Sequence, residues 1–372
     1  MYNKLRKILF AGLMSFLMMG ESTITVEARI IPADSNKIQY FGRWDVQDGV
    51  YRTGMGATYI KANFTGTGLS VFLSNDENNH VWWRVSIDDG DFRRFKPHED
   101  KTVLAEDLTP GIHKVILVRS TEGEAGISEF RGFELDPYNG LLKPEPPKQR
   151  RLEFIGDSIT AGAMNEGKFT GENYYDVEDN DMAYGAQLAR MLDADYSIIG
   201  KSGQGVVHNY TEPWPSNALH AADTYPFTFI CDEISPENPK WDSSKFSVDA
   251  AIVSIGTNDF TDHERQPTEK EFTAGYKRLL EVIRQSNPAA AIICADPLPA
   301  WIPGEAGEWI KQTVKYFNDR GDRKVYYVAI NEKKPLLSED DYTDGETHPN
   351  KNGSRKAAKF LKDKIAAILA WK

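Results

Sequence analysis

The sequence predicts two folded units in one chain: an all-β sandwich of jelly-roll type, followed by an α/β domain on a five-stranded parallel sheet. Three observations carry this expectation. From Ile38 to about Leu135, short alternating apolar runs are broken by Gly, Asn and Asp, without helical periodicity. Residues 136–147 are rich in proline and glycine. From Lys148 onward, apolar β-runs alternate with amphipathic helical stripes, the pattern of strands and crossover helices. At 372 residues the chain is long enough for both units to bury a core.

Ahead of both units stand Lys4, Arg6 and Lys7, an apolar run from Ile8 to Met19, and the small-residue pattern Val26-Glu-Ala28. This is the pattern of a secretory signal peptide over 1–28, cleaved after Ala28, and the run is too short to span a bilayer. An uncleaved anchor is the other reading. The expected mature product is a soluble secreted protein, extracellular or periplasmic, with no membrane association after processing. A formal net charge of −11 argues against nucleic acid or an anionic membrane as the main partner. Only Cys231 and Cys294 are present, so no disulfide network holds the fold, and the sequence leaves open whether they pair. They also offer no zinc spacing, and neither metal nor organic cofactor is expected.

The sandwich is expected over 29–140, with strands near 58–64, 69–73, 81–87, 102–105, 114–119 and 127–135. Asp88-Asp-Gly90 marks a tight hairpin turn before a further strand at 92–95. Trp44, Tyr59, Trp82, Trp83 and Phe92 could form a sugar-stacking platform, but alternation along a strand favours core packing. A linker over 141–150 follows. The parallel strands of 151–372 are expected at 152–156, 195–199, 250–256, 291–295 and 324–330. Thr268 and Glu271 form a capping box ahead of Phe272, Tyr276, Leu279, Leu280 and Ile283, and Asn287-Pro288 ends that helix. A last helix begins near Ser354 and carries Phe360, Leu361, Ile365 and Ile368.

In an open parallel sheet, ligands sit at the carboxyl ends of the strands, so the loops after the strands are where chemistry is sought. Those loops read Gly156-Asp-Ser158, Lys201-Ser-Gly-Gln-Gly205 and Gly256-Thr-Asn-Asp259, and Asp344-Gly-Glu-Thr-His348-Pro precedes the last helix. Each has a plain structural reading: Ser158 or Thr160 as a helix cap, Asn258-Asp259 as another, the glycines as turn residues, His348 as a surface loop histidine. Together they supply what ester hydrolysis requires, namely a nucleophile, a base, a group to orient the base, and fixed donors for an oxyanion. Asp157 is expected to shape the turn by hydrogen bonding.

These blocks resemble the SGNH, or GDSL-like, hydrolases, with Gly-Asp-Ser158, Ser-Gly203, Gly-Thr-Asn258-Asp and His348-Pro in order across the second unit. The resemblance implies a three-layer α/β fold, Ser158 as nucleophile and His348 as general base and then acid. It also implies an oxyanion hole from the Ser158 N–H, the Gly203 N–H and the Asn258 side-chain amide, with Gly205 as the alternative main-chain donor. A closer resemblance covers both units. Gly49-Val-Tyr-Arg52, Thr121-Glu122, Gly156-Asp-Ser-Ile-Thr160, Ala183-Tyr-Gly185 and Gly256-Thr-Asn-Asp-Phe260 are similar to carbohydrate esterase family two. That implies a secreted enzyme removing O-acetyl groups from xylan, glucomannan or a related polysaccharide or oligosaccharide, with 6-O-acetyl hexose a favoured position. A glycan-binding protein without catalysis and a short-chain lipid esterase are the alternatives.

One position departs from the wider superfamily, which places an Asp three residues before the His, where this chain has Gly345. The resemblance to the esterase family favours Glu346 as the orienting acid, with Asp344 the alternative and a main-chain carbonyl the third choice. Residues 208–246 form a long proline-rich segment, and loops of that length commonly carry function. Trp214 and Trp241 within it, and Trp301 after the fourth strand, are candidates for stacking against sugar rings.

Overall fold

A computed structural model describes residues 27–97, 101–214, 216–230, 235–261 and 265–371. The signal-peptide segment and Cys231 therefore lie outside the described residues, apart from the last two positions of the former. Among the described residues, no helix is long and apolar enough to cross a membrane.

Two antiparallel sheets form the amino-terminal sandwich. One has the order β3 (Asp45–Gln47), β4 (Val50–Thr53), β11 (Ser128–Leu135), β6 (Leu69–Asn75) and β9 (Thr102–Ala105), with β1 (Arg29–Pro32) also paired to β11. The other runs β2 (Gln39–Phe41), β5 (Tyr59–Gly66), β10 (Gly111–Arg119), β7 (Trp83–Ile87) and β8 (Arg93–Phe95). A bulge between Phe130 and Gly132 lets β11 take β4 along one half and β1 along the other. Gly132 is required there, since a Cβ would come within 2.1 Å of Ile31 O. The expected hairpin turn is present: Asp88 and Asp89 have φ of 54° and 57°, the paired positive values of a type I′ turn. Trp44, Tyr59 and Trp83 are buried, which makes them core. Trp82 is half-buried beneath Arg94 and Lys96, its indole N–H donating to Asp176.

The second unit holds the sheet β13-β12-β14-β15-β16, with every pairing parallel: β12 (Arg150–Gly156), β13 (Ala194–Gly200), β14 (Ala250–Ser254), β15 (Ala291–Ala295) and β16 (Val325–Val328). Strand alternation divides its side chains between two cores. Leu152, Phe154, Ala250 and Ile252 face one side with α2 (Tyr184–Met191) and α6 (Lys351–Ile368). Ile155, Ala251, Val253 and Cys294 face the other with the short α3 (Ala221–Thr224), α4 (Glu269–Ser286) and α5 (Gly304–Asp319). Each fully buried Leu, Ile, Val or Phe contributes about 1.5–3 kcal/mol of transfer free energy. The α4 capping box forms as expected, with Glu271 N donating to Thr268 Oγ1 and Thr268 N to Glu271 Oε2 at 3.3 and 2.9 Å. Its whole apolar stripe is buried.

The two units share a hydrophobic core. Phe41, Tyr59 and Val118 of the sandwich pack in the same cluster as Leu152 and Phe154. Arg43, fully buried, pairs with Glu153 of β12 at 3.1 Å and also donates to the carbonyls of Tyr225 and Phe227. Tyr225 OH supplies a second donor to Glu153, at 2.6 Å. The expected linker is partly sheet-bound, for Leu141 bridges to Phe64 and Leu142 N donates to Asn63 O. A cavity of about 340 Å³ opens at the seam beside Tyr59, Lys61, Phe92 and Asp195, at the amino ends of the parallel strands and away from Ser158.

Candidate active site

β12 lies between β13 and β14, and its last residue, Gly156, must be glycine: a Cβ would sit 2.1 Å from Thr160 Oγ1 and 2.4 Å from Ser254 O. The chain then turns into the one-turn helix α1 (Ser158–Ala161). Asp157, not Ser158 or Thr160, is the cap, its Oδ1 accepting from Ile159 N at 3.0 Å. Burial raises the Asp157 carboxyl, opposed by the Ile159 N–H, Thr257 and the nearby His348. With capping done by its neighbour, Ser158 keeps its hydroxyl for another use.

That use is His348. Ser158 Oγ stands 2.9 Å from His348 Nε2, and His348 Nδ1 stands 2.6 Å from Asp344 Oδ2. A carboxylate only accepts, so the imidazole proton belongs on Nδ1 and Nε2 is left to accept from the serine hydroxyl. Burial alone would raise the Asp344 carboxyl. The hydrogen bond from His348 and the main-chain N–H groups of His348 and Thr347 outweigh burial and hold it well below the usual carboxylate range. The position against Nδ1 thus goes to Asp344 rather than Glu346. Gly345 turns the chain at φ 99°, Asp344 Oδ1 gathers the N–H groups that follow, and the Glu346 side chain is left exposed.

The other two loops follow the strands on either side of β12. After β13, Gly203 adopts φ 72° and its carbonyl accepts from Tyr210 N at 2.7 Å. Gly205 N–H donates to Asn209 Oδ1 at 2.9 Å and is therefore already satisfied within its own loop. After β14, Asn258 Nδ2 donates to Gln204 O at 2.8 Å, tying that side chain to the residue after Gly203. Asp259 reinforces the tie, accepting from the N–H groups of Val206, Val207 and His208 at 2.9, 2.8 and 3.1 Å. Burial pushes the Asp259 carboxyl up to about 7 against those three donors. Among the described residues, no cluster of three or more His, Cys, Asp or Glu is placed to hold a metal ion.

Comparison with known proteins bears on the same two units. The model of the Carbohydrate esterase 2 N-terminal family matches residues 40–146, and that of the GDSL-like Lipase/Acylhydrolase family matches residues 154–356, more than half of the chain. The chain belongs to the GDSL-like lipase/acylhydrolase family. An acetylxylan esterase/glucomannan deacetylase of Cellvibrio japonicus is 28% identical over 316 residues, covering 82% of each protein. The cellulase/esterase CelE of Acetivibrio thermocellus is 30% identical over 304 residues, 80% of this chain, which spans only 36% of that longer protein. Among solved structures, a family two carbohydrate esterase from Clostridium thermocellum in complex with cellohexaose superposes with a TM-score of 0.79 at 29% identity, covering 90% of this chain and 100% of that one.

The three tryptophans of this GDSL-like hydrolase do not converge. Trp301 stands against the His348 loop, its indole N–H donating to Thr347 Oγ1 at 3.2 Å. Trp214 lies under Arg265, with the guanidinium 3.9 Å from its ring, and lines a cavity of about 210 Å³ against Gly275 and Arg278 of α4. Trp241 packs on the shared core near Arg43, because its main-chain N–H is tied to Pro226 O and its ring covers apolar surface. Two residues escaped the sequence reading. Tyr210 is 57% exposed beside Gly203, and Tyr174 OH donates to Ser202 Oγ at 2.6 Å. The exposed aromatic directly after the glycine loop was the available signal for Tyr210.

Proposed function

We propose that this carboxylic ester hydrolase removes O-acetyl groups from plant polysaccharides such as xylan or glucomannan, 6-O-acetyl hexose being a favoured position. The observation that carries the chemistry is the unbroken chain from Ser158 Oγ through His348 to Asp344, at 2.9 and 2.6 Å. His348 Nε2 takes the Ser158 proton as Oγ attacks the acetyl carbonyl, and Asp344 stabilises the imidazolium that forms. The Ser158 and Gly203 N–H groups and the Asn258 amide receive the developing oxyanion. The sugar oxygen then leaves with the proton from His348. Water, activated by the same histidine, attacks the acetyl-serine, and acetate is released. The substrate class rests on the deacetylase and esterase relatives, and the bond to Thr347 supports Trp301 as the wall of the cleft beside the base.

The leader pattern over 1–28 supports action outside the cytoplasm. A secreted form whose first residue is Met1 would end that part of the reading. Acetate release from acetylated xylan and glucomannan, set against a long-chain lipid ester, tests the substrate. The reading fails if only the lipid ester is cleaved, or if Ser158→Ala releases acetate as fast as the wild type.

A further inference from the structure

The residue before Gly203 is held from the other unit. Glu122 of the sandwich is fully buried, and its Oε2 accepts the Ser202 N–H at 2.6 Å across the seam. Glu122 is itself fixed from behind. Arg119 Nη2 donates to its carbonyl at 2.7 Å, its N–H donates to Glu178 Oε1 at 2.8 Å, and Gly123, which follows it, sits so close to Gly54 O that a Cβ would lie 2.1 Å away. Beside it Lys201 pairs with Glu124, and Tyr174 OH holds the Ser202 hydroxyl. Both polar handles of Ser202 are therefore clamped, its main-chain N–H by the sandwich and its hydroxyl by the hydrolase unit.

As a fold device this arrangement is expensive. Glu122 Oε1 and Glu178 Oε2 are buried without a hydrogen-bond partner, and burial followed by charge repulsion from neighbouring carboxyls raises both acids, Glu122 to about 7. An apolar residue of similar volume would fill the same space without that cost. Local sacrifices of this kind are expected where a group serves function rather than stability. We propose that Glu122 is a positioning residue of the oxyanion hole, its side chain fixing the Ser202 N–H so that the adjoining Gly203 N–H points at the reacting carbonyl. The sandwich is then a working part of the hydrolytic site. This rests on the proposed function, in which Ser158 is the nucleophile of an ester hydrolase and Gly203 one of its oxyanion donors.

The test uses the full chain with Glu122→Met, which keeps the volume and removes the acceptor, and Glu122→Gln, whose amide oxygen can still accept from Ser202. Both are assayed on para-nitrophenyl acetate, with active sites counted by phosphonate titration of Ser158 taken to completion, and thermal unfolding is recorded alongside. Since a displacement of about 1 Å can cost on the order of 10²-fold, Glu122→Met should lose about 10- to 100-fold in kcat per titrated site with KM changed less than about threefold. Glu122→Gln should stay within about threefold of wild type. A Glu122→Met enzyme that keeps its kcat per site, or whose loss only mirrors the loss of titratable sites, overturns the proposal, and so does a Glu122→Gln enzyme as slow as Glu122→Met. Failure of the underlying reading looks different, for then Ser158→Ala retains activity whatever the Glu122 variants do.

Discussion

Ser158 hangs from the end of a strand flanked by parallel neighbours on both sides, whereas His348 sits on an irregular loop that Asp344 ties together within one short turn. Ser158, Gly203 and Asn258 are placed by three adjacent strand ends, with Asn258 and Asp259 bonded to the loop after β13. They share the rigidity of the sheet. His348 is oriented by the Asp344 carboxylate, which accepts three hydrogen bonds from His348 and Thr347 and keeps 29% of its side chain exposed, while Trp301 and Met164 hold the same loop at Thr347 and Thr343. One side of the site is thus set by three neighbouring strand ends and the other by the carboxylate of one short turn, so each should break in its own way.

The largest effect is expected at the meeting point. Ser158→Ala should lower kcat on para-nitrophenyl acetate by about 10⁴-fold or more while leaving the thermal transition in place. Next comes the base side, where Asp344→Asn should cost about 10²- to 10⁴-fold in kcat, because the asparagine permits the wrong imidazole tautomer. Glu346→Ala should stay within about twofold, and equal losses for the two variants would erase the distinction drawn here. On the sheet side, Asn258→Ala should lower kcat by about 10²- to 10³-fold with little change in KM. A rise in KM at constant kcat would assign Asn258 to substrate binding instead.

The smallest effects are in stability, and they have opposite signs with pH. Burial and then repulsion from Glu122 raise Glu178 above its ordinary value of 4.5, so the folded state holds that proton when the unfolded chain has lost it. Stability from this group is full below pH 4.5 and falls as pH rises through its folded value. Glu178→Gln keeps an acceptor for Glu122 N, so its Tm should gain on wild type by a few degrees between about pH 5 and about pH 8. Asp344 is lowered instead, so its contribution is present above the ordinary aspartate value of 3.8 and is lost as pH falls below it. The Tm advantage of wild type over Asp344→Asn should therefore shrink only in strong acid. Unfolding curves across that range check both signs.

What the sequence revealed follows the same division. The parallel strands, the α4 stripe and its capping box were legible because period and caps are local signals, and Ser158 was legible because a strand end at mid-sheet has one destination. The short strands β1 to β4, each of three or four residues and none with more than one buried position, carry too little alternation to be seen. The sequence left Glu346, Asp344 and a main-chain carbonyl as partners for His348, with Glu346 favoured, because spacing along an irregular loop does not say where a side chain points; it is Asp344 that lies against Nδ1. The positive φ of Gly345 reverses the chain, and no residue count reveals that. Glu122 was visible only as part of a resemblance, since its partner lies 80 positions away across the seam.

The buried pair between Arg43 and Glu153 bears on how such an enzyme can be re-engineered. Glu153 lies on the strand that leads into Ser158, and its cationic partner arrives from the preceding unit. Removing one member of a buried ion pair costs about 3–5 kcal/mol, comparable to the whole stability of many domains. A hydrolase unit excised or grafted onto a foreign module would carry a buried carboxylate stripped of its cation, with the Tyr225 hydroxyl still donating to it. A successful chimera needs its junction drawn outside both units, or Glu153 replaced together with Arg43 by apolar residues of matching volume.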